Sequence, residues 1–241
     1  AMVEPRTREK GRLSEVLARG ATLTAWLLVL SAAASAQTTW FVSNDPGENP
    51  DFPSIAAAVA SPSVLGGDTL VVSEGVGPYT GGIMISKFLM IVAEAGEQPT
   101  VTPAGIGTPV YCFRQPSGAP GIRVEGLRFL GPRLYVNGIF EGGIWDETST
   151  TVVENCVFEG LDIGISGNQG TVRESEFVDN RIGVAGARLV EGCTFSILTP
   201  LTVASFVGAN EIIDCRFTGP AQIGGADFGG TRFVRCRFED I

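Results

Sequence analysis

A six-residue pattern, aliphatic-x-x-Cys-x-Phe, recurs down the second half of this 241-residue chain, with Leu or Ser replacing the Cys in two copies. Successive phenylalanines of the pattern are 29, 19, 18, 22 and 21 residues apart. Self-similarity at such a period indicates a solenoid, in which each repeat buries its apolar side against the next. The six copies end at Phe129, Phe158, Phe177, Phe195, Phe217 and Phe238.

The repeats are predicted to be built from strands. The segment 171–173 alternates in polarity before its Phe, and further alternating runs at 163–167 and 182–186 follow the polar connections. The residue three before each Phe is Gly, Asn or Asp in four of the six copies, and these residues tolerate a tight bend. Each repeat is therefore predicted to be a coil of three short strands and three turns. A leucine-rich repeat is not predicted, because its sequence frame is missing.

Stacking such coils in register would place the Cys positions one above another, about 4.8 Å apart. Cys215 and Cys236 would then satisfy the Cα separation that a disulfide requires. The same position holds Leu127 and Ser175 in other coils, as expected for a small inward-facing slot, so free buried thiols are favoured over disulfides. No C-x-x-C occurs, and a cysteine metal site is not predicted.

The first 36 residues are predicted to be a secretory signal peptide. Five basic residues precede the apolar run 21–30, and a small-residue site ends at Ala36, so cleavage is predicted between Ala36 and Gln37. The apolar run is shorter than the ~20 residues of a membrane span. The mature chain, 37–241, is expected to be one β-helix domain, truncated at its C-terminus, that is secreted, at the cell surface or periplasmic.

Charge and the absence of histidine exclude several functions. Without the signal peptide the chain has 12 basic against 23 acidic residues, a formal charge of −11. Nucleic acid and anionic membranes are therefore not expected as partners, since both need clustered cations. With no histidine, catalysis by Ser-His-Asp or Cys-His groups and histidine-ligated zinc are excluded.

Motifs before the repeats carry a family resemblance. They comprise a helical segment at 51–60, the strand-like segment 67–72, Tyr79 and the alternating run 83–89. Together with the coils, they resemble right-handed parallel β-helix proteins of the pectin-lyase-like superfamily. The likeness is to the short-repeat (NosD-like) coils of carbohydrate-binding and sugar-hydrolase modules, and it covers about residues 39–241.

The resemblance implies an all-β fold, a right-handed single-stranded parallel β-helix of about eight coils with an N-terminal capping helix. It also implies a ligand groove along one outer strand face, with a polysaccharide as the partner. An enzyme of this kind would be a polysaccharide lyase, which would bring calcium as a cofactor, or a glycoside hydrolase. The signatures of pectin methylesterases are absent, and no catalytic or metal-binding residue is assigned.

The longest interval between repeats, from Phe129 to Phe158, is expected to project a loop that binds substrate. An aromatic side chain beside carboxylates suits a sugar ring, which has an apolar face and hydroxyl groups. The alternative is a solvated turn with its Trp folded onto the coil. The candidates in this interval are Arg133, Tyr135, Trp145 and Asp146, with Glu147 next to them.

The repeat register adds two further candidates. Counting four residues past each Phe places Arg133, Asp162 and Arg181 on successive coils as an outward ladder. These side chains could pair with one another or present cations to an acidic sugar. The sequence thus predicts an exported protein that binds an extracellular polysaccharide, with cleavage left open. The alternative is a non-catalytic surface, structural or adhesive β-helix, and the sequence predicts no particular substrate or oligomeric state.

Overall fold

The computed structural model of the protein describes residues 37–104, 110–132, 141–148, 150–197, 207–219 and 231–239. These residues form an all-β parallel β-helix whose strands pair in parallel from coil to coil. The predicted fold class is therefore confirmed. The predicted signal peptide and the candidates Arg133 and Tyr135 lie outside the described residues.

Each coil has three sides, and the third side forms a sheet of its own. This third face is an eight-stranded parallel sheet with one strand from each of eight coils, in agreement with the number that the resemblance implied. Its strands are β3 (Tyr79–Thr80), β6 (Thr100–Thr102), β9 (Arg128–Leu130), β12 (Val157–Glu159), β14 (Glu176–Val178), β16 (Thr194–Ser196), β18 (Arg216–Thr218) and β20 (Arg237–Glu239).

The first and second faces belong to one 12-stranded sheet, because three long strands bend from one face onto the other. The long strands are β13 (Ile163–Arg173), β15 (Ile182–Glu191) and β17 (Val207–Ile213). The first face also contains β4 (Ile83–Met84), β7 (Val110–Gln115) and β10 (Glu141–Asp146). The second face also contains β1 (Thr39–Val42), β2 (Thr69–Val72), β5 (Leu89–Ala93), β8 (Ile122–Glu125), β11 (Val152–Glu154) and β19 (Arg232–Val234).

The repeated phenylalanines form a continuous stack through the core. Neighbouring rings from Phe129 to Phe238 lie nearly parallel, with centroids 4.7–5.0 Å apart. This separation matches the spacing between paired strands, about 4.8 Å, so identical residues in register stack ring on ring. All but Phe238 are essentially fully buried.

The cysteine slot is confirmed as a core position with free thiols. Each of its four thiols contacts the carbonyl oxygen of the residue two places earlier, as Cys193 Sγ does with Glu191 O at 3.4 Å. Ser175 Oγ donates to the carbonyl of Arg173 in the same way, at 2.7 Å. A small donor suits this slot, which explains why Ser and Cys replace each other there. All five cysteines are free.

The predicted bend before each Phe is a left-handed residue. All six positions three residues before a repeat Phe have positive φ, between 47° and 77°. Glycine adopts this conformation without strain, whereas a residue with a Cβ atom is strained there. The six residues are Gly126, Asn155, Glu174, Gly192, Asp214 and Arg235.

The predicted capping helix is present as α1 (Ile55–Ala60), and a 3-10 helix (Pro46–Glu48) precedes it. Ser54 caps α1 through a hydrogen bond from Ala57 N to Ser54 Oγ of 3.1 Å. The buried side of α1 packs against β1, β2 and β4. Lys87 Nζ donates to three carbonyl oxygens, that of Val59 at the end of α1 and those of Ser61 and Val64 after it. This ammonium group neutralises carbonyls that the helix leaves without partners.

Candidate functional site

An outward row of side chains crosses the first face from coil to coil. Its register follows from the strand pairings, with the buried row of Ile83, Phe113, Ile144, Ile165 and Val184 one residue earlier. Because neighbouring strand residues point to opposite sides of a sheet, the row after a buried row faces solvent. The outward row is Met84, Arg114, Trp145, Ser166 and Ala185.

The first face differs from the other two in charge. On the second and third faces, outward arginines and glutamates of neighbouring coils form ion pairs, such as Arg123 with Glu154 at 2.5 Å and Arg216 with Glu239 at 2.5 Å. The outward row of the first face has a single charged residue among those described, Arg114. The outward row of this face therefore carries less charge than the outward positions of the other two faces.

A groove of about 500 Å³ opens on the first face. Trp145 has the small residues Ser166 and Ala185 as its in-register neighbours on the next two coils. The indole ring therefore stands beside a low floor and forms one wall of the groove. The described lining residues are Ser117, Trp145, Asp146, Glu147, Ser166, Gly167, Ala185 and Gly186.

Tyr111 supports the tryptophan wall. The ring centroids of Tyr111 and Trp145 are 4.7 Å apart in an edge-to-face contact, and Tyr111 is 5% exposed. Its ring occupies the space beside Gly142, where an added Cβ atom would lie 2.2 Å from it. A larger residue at position 142 would therefore displace the Tyr111 ring. Burial, followed by the nearby Asp162 carboxylate, raises the pKa of Tyr111, which keeps the phenol protonated.

Tyr111 was not predicted from the sequence to be a site residue. It lies outside the interval between repeats that predicted the loop, and it reaches Trp145 only because β7 pairs with β10. The paired glycines at 142 and 143 were the one available signal, since glycine within a strand often marks a close approach of another group.

Asp146 and Glu147 have different environments at the groove. Asp146 is 3% exposed, and its Oδ1 accepts hydrogen bonds from Thr148 N at 2.7 Å and Thr148 Oγ1 at 2.5 Å. Glu147 lies at the rim and accepts from Arg114 Nη2 at 2.8 Å and Ser117 N at 3.2 Å. The hydrogen bond from Arg114 lowers the pKa of Glu147. Asp146 therefore holds the strand end, whereas Glu147 offers a charged acceptor at the surface.

Asp162 and Arg181 lie at the opposite edge of the first face, where β13 and β15 begin. Arg181 binds both carboxylate oxygens of Asp162, through Nε and through Nη2, the latter at 3.1 Å from Oδ2. Of the two alternatives that the sequence left open, internal pairing is the one observed for these residues. The structure thus brings Trp145 and Asp146 together at the groove, in strand β10 and not in the projecting loop that was expected. It places Asp162 and Arg181 apart from the groove.

Glu141 is the carboxylic acid nearest to this ion pair along the sheet. Gly142 pairs with Ile163, so the preceding residues Glu141 and Asp162 are neighbours on adjacent coils, linked by a hydrogen bond from Asp162 N to Glu141 O of 2.9 Å. Burial and the Asp162 carboxylate raise the pKa of Glu141. This residue was not predicted from the sequence.

The described part of the chain shows neither a metal-binding group of side chains nor a membrane-spanning helix. There, no three His, Cys, Asp or Glu side chains come together in a way that could hold a metal ion. No residue is therefore assigned to the calcium ion that the resemblance implies. Within the same ranges, no helix is long and apolar enough to cross a membrane.

Comparison with known proteins gives no family assignment. No protein-family model matches this chain. No curated protein sequence matches it. The parallel coils are compatible with the pectin-lyase-like resemblance, and the function of the groove has to be argued from its geometry.

Proposed function

We propose that this protein binds an extracellular polysaccharide in the groove beside Trp145. The observation that carries the proposal is the contrast between this groove and the rest of the surface. The second and third faces bear ion pairs between neighbouring coils, whereas the first face offers an aromatic wall and a floor of small residues. A ligand with extended apolar surfaces and many hydroxyl groups fits such a site.

The chemistry of a sugar ring matches the groups that the groove offers. The C–H face of a pyranose packs on an indole ring, which is only half-buried at Trp145. The ring hydroxyls find hydrogen-bonding groups in Ser166, Ser117 and the rim carboxylate of Glu147. Successive coils repeat at about 4.8 Å, so a chain molecule lying across them meets the floor residues in sequence.

A structural or adhesive role is the alternative function. The stacked rings of the core and the ion pairs between coils support it, because both favour a rigid rod. This alternative makes no use of the Trp145 groove. Cleavage of the bound chain is a further part of the proposal, and no catalytic residue is assigned to it.

The test measures affinity of the full chain for a panel of soluble polysaccharides by calorimetry. We expect Trp145→Ala to weaken binding by about tenfold or more, since loss of an aromatic anchor costs over 1 kcal/mol. Met84→Ala is the matched control, because Met84 belongs to the same outward row and is 58% exposed. Absence of binding to every polysaccharide, or equal affinity of Trp145→Ala and the parent chain, would reject the proposal.

Cleavage is followed in the same samples through reducing ends and unsaturated products, with and without calcium. A glycoside hydrolase releases reducing ends alone, whereas a lyase also forms a double bond that absorbs ultraviolet light. Bound polysaccharide without any product would restrict the function to binding.

A further inference from the structure

We infer that the saccharide taken by the Trp145 groove is uncharged rather than a uronate or another acidic sugar. This inference rests on the proposed function and names the substrate class of the same site. It departs from the expectation that Arg133, Asp162 and Arg181 form a ladder presenting cations to an acidic sugar. Its basis is the balance of charge around the groove.

The described lining contains carboxylates and no cation. Asp146 and Glu147 are the two charged residues among the eight that line the groove. Glu147 is the exposed one, and its pKa is lowered, so it is ionised at neutral pH. A ligand carboxylate in the groove would face a like charge across a few ångströms, and such juxtapositions are strongly unfavourable.

Two described arginines of the first face are committed to carboxylates of the protein itself. Arg114, on the same outward row as Trp145, pairs with Glu147 at 2.8 Å. Arg181 holds both oxygens of Asp162, whose side chain is 5% exposed. A ligand carboxylate that recruited either arginine would leave the protein carboxylate without its partner, and much of the gain would be lost.

Arg188 is a further described cation to consider, since it is exposed and lies two residues past Gly186 of the lining. Its Nη2 donates to Thr171 Oγ1 at 3.1 Å. Thr171 and Arg188 lie where β13 and β15 turn onto the second face. The guanidinium is thus held at the corner and does not contribute to the lining.

The polar groups of the groove suit hydroxyl groups. Ser117 and Ser166 have hydroxyls that donate and accept, and Glu147 only accepts. A carboxylate at a groove rim accepts hydrogen bonds from sugar hydroxyls, whereas it repels a second carboxylate. The overall formal charge of −9 adds a long-range repulsion toward polyanions, which salt screens over about 8–10 Å.

The experiment compares hexasaccharides of equal length on the full chain. Cellohexaose, xylohexaose and mannohexaose are the uncharged probes, and hexagalacturonate is the anionic probe. We expect at least one uncharged probe to bind about tenfold tighter or more than hexagalacturonate at low salt. Binding of the uncharged probe should be insensitive to NaCl, and any residual binding of hexagalacturonate should strengthen as NaCl rises.

A charge-changing variant sharpens the comparison. Glu147→Gln removes the rim charge and releases Arg114, so it should improve hexagalacturonate binding by about tenfold. The ratio between the affinities for the uncharged probe and for hexagalacturonate should then decrease. Glu239→Gln is the matched control, because Glu239 pairs with Arg216 on the third face with similar exposure. This control should leave the preference unchanged.

The possible results separate the two proposals. Tighter binding of hexagalacturonate that weakens with NaCl would overturn the uncharged-ligand inference and leave the polysaccharide function standing. Equal preference in Glu147→Gln and the parent chain would overturn the role given to Glu147. Failure of all probes to bind, together with no binding of longer polysaccharides, would overturn both the inference and the proposed function.

Discussion

Arg181 binds both carboxylate oxygens of Asp162, which lies on the preceding coil. The Asp162 side chain is almost completely shielded from water. The pair joins the starts of β13 and β15, where Ile182 N also donates to Asp162 O at 2.9 Å. Its carboxylate depends on the guanidinium because burial removes the solvent that would otherwise stabilise the charge. This pair is therefore expected to contribute to stability more than the exposed pairs on the other faces.

Replacing Arg181 tests this difference. Arg181→Ala should destabilise the fold by about 1–3 kcal/mol, since it leaves a shielded carboxylate without its partner. Arg216→Ala removes an exposed pair with Glu239 and should cost at most about 1 kcal/mol. Urea unfolding followed by circular dichroism measures both variants. Equal losses in the two variants would show that shielding of Asp162 is energetically unimportant.

The phenylalanine stack should be most sensitive in its middle. Phe177 has a ring on each side and is 1% exposed, so Phe177→Ala should cost about 3–5 kcal/mol. Phe238 stacks on Phe217 at the end of the described coils and is 41% exposed. Its replacement by Ala should cost markedly less. Unfolding midpoints in urea distinguish the two, and the prediction is wrong if Phe238→Ala is the more damaging change.

One strained turn should accept glycine with a gain in stability. Glu174 has a φ of 47°, and Glu174→Gly should stabilise the fold by about 1 kcal/mol because glycine adopts this angle without strain. Gly192 occupies the same turn position one coil later, with a φ of 64°. Gly192→Ala should destabilise by a similar amount, although a Cβ atom would meet nothing closer than 3.6 Å. Thermal unfolding checks the opposite signs, and a loss in Glu174→Gly would contradict the argument.

Asp68 should make stability depend on pH at the acid end. Burial alone would raise its pKa, but hydrogen bonds from Trp40 Nε1 and from the Leu65 and Thr38 amides lower it overall. The pKa of Asp68 in the folded state then lies below its value of about 3.9 in the unfolded state. The ionised Asp68 therefore stabilises the fold fully above about pH 3.9, and this stabilisation is lost as the pH falls through the folded-state pKa.

Urea unfolding is followed at several pH values by circular dichroism. Asp68→Asn should be less stable than the parent at neutral pH, and its stability should fall less steeply below about pH 4. Glu74→Gln provides the control, because Glu74 is an exposed carboxylate. A parallel decline of Asp68→Asn and the parent chain would remove Asp68 as the cause.

The fold could be predicted from the register of the sequence repeats. The repeating Phe could be aligned without coordinates because a solenoid uses the same side chain at the same place in each coil, and the stacked rings confirm that alignment. The left-handed bend, exemplified by Asn155 and Asp214, was also readable, since its residue types are limited by local backbone strain. Local conformation and coil-to-coil repetition therefore sufficed for the architecture.

The site depended on side-chain partners that periodicity does not specify. Counting from each Phe correctly placed Asp162 and Arg181 on neighbouring coils, but only their side-chain geometry decided that they bind each other. Trp145 was identifiable as an aromatic in a long interval, whereas its support by Tyr111 arises from the pairing of β7 with β10. The sequence alone thus determined the repeating coil, because each sequence repeat has the same residue types at the same positions of its coil. The tertiary structure alone decided which charges are neutralised and where a groove opens, because these depend on single, unrepeated contacts.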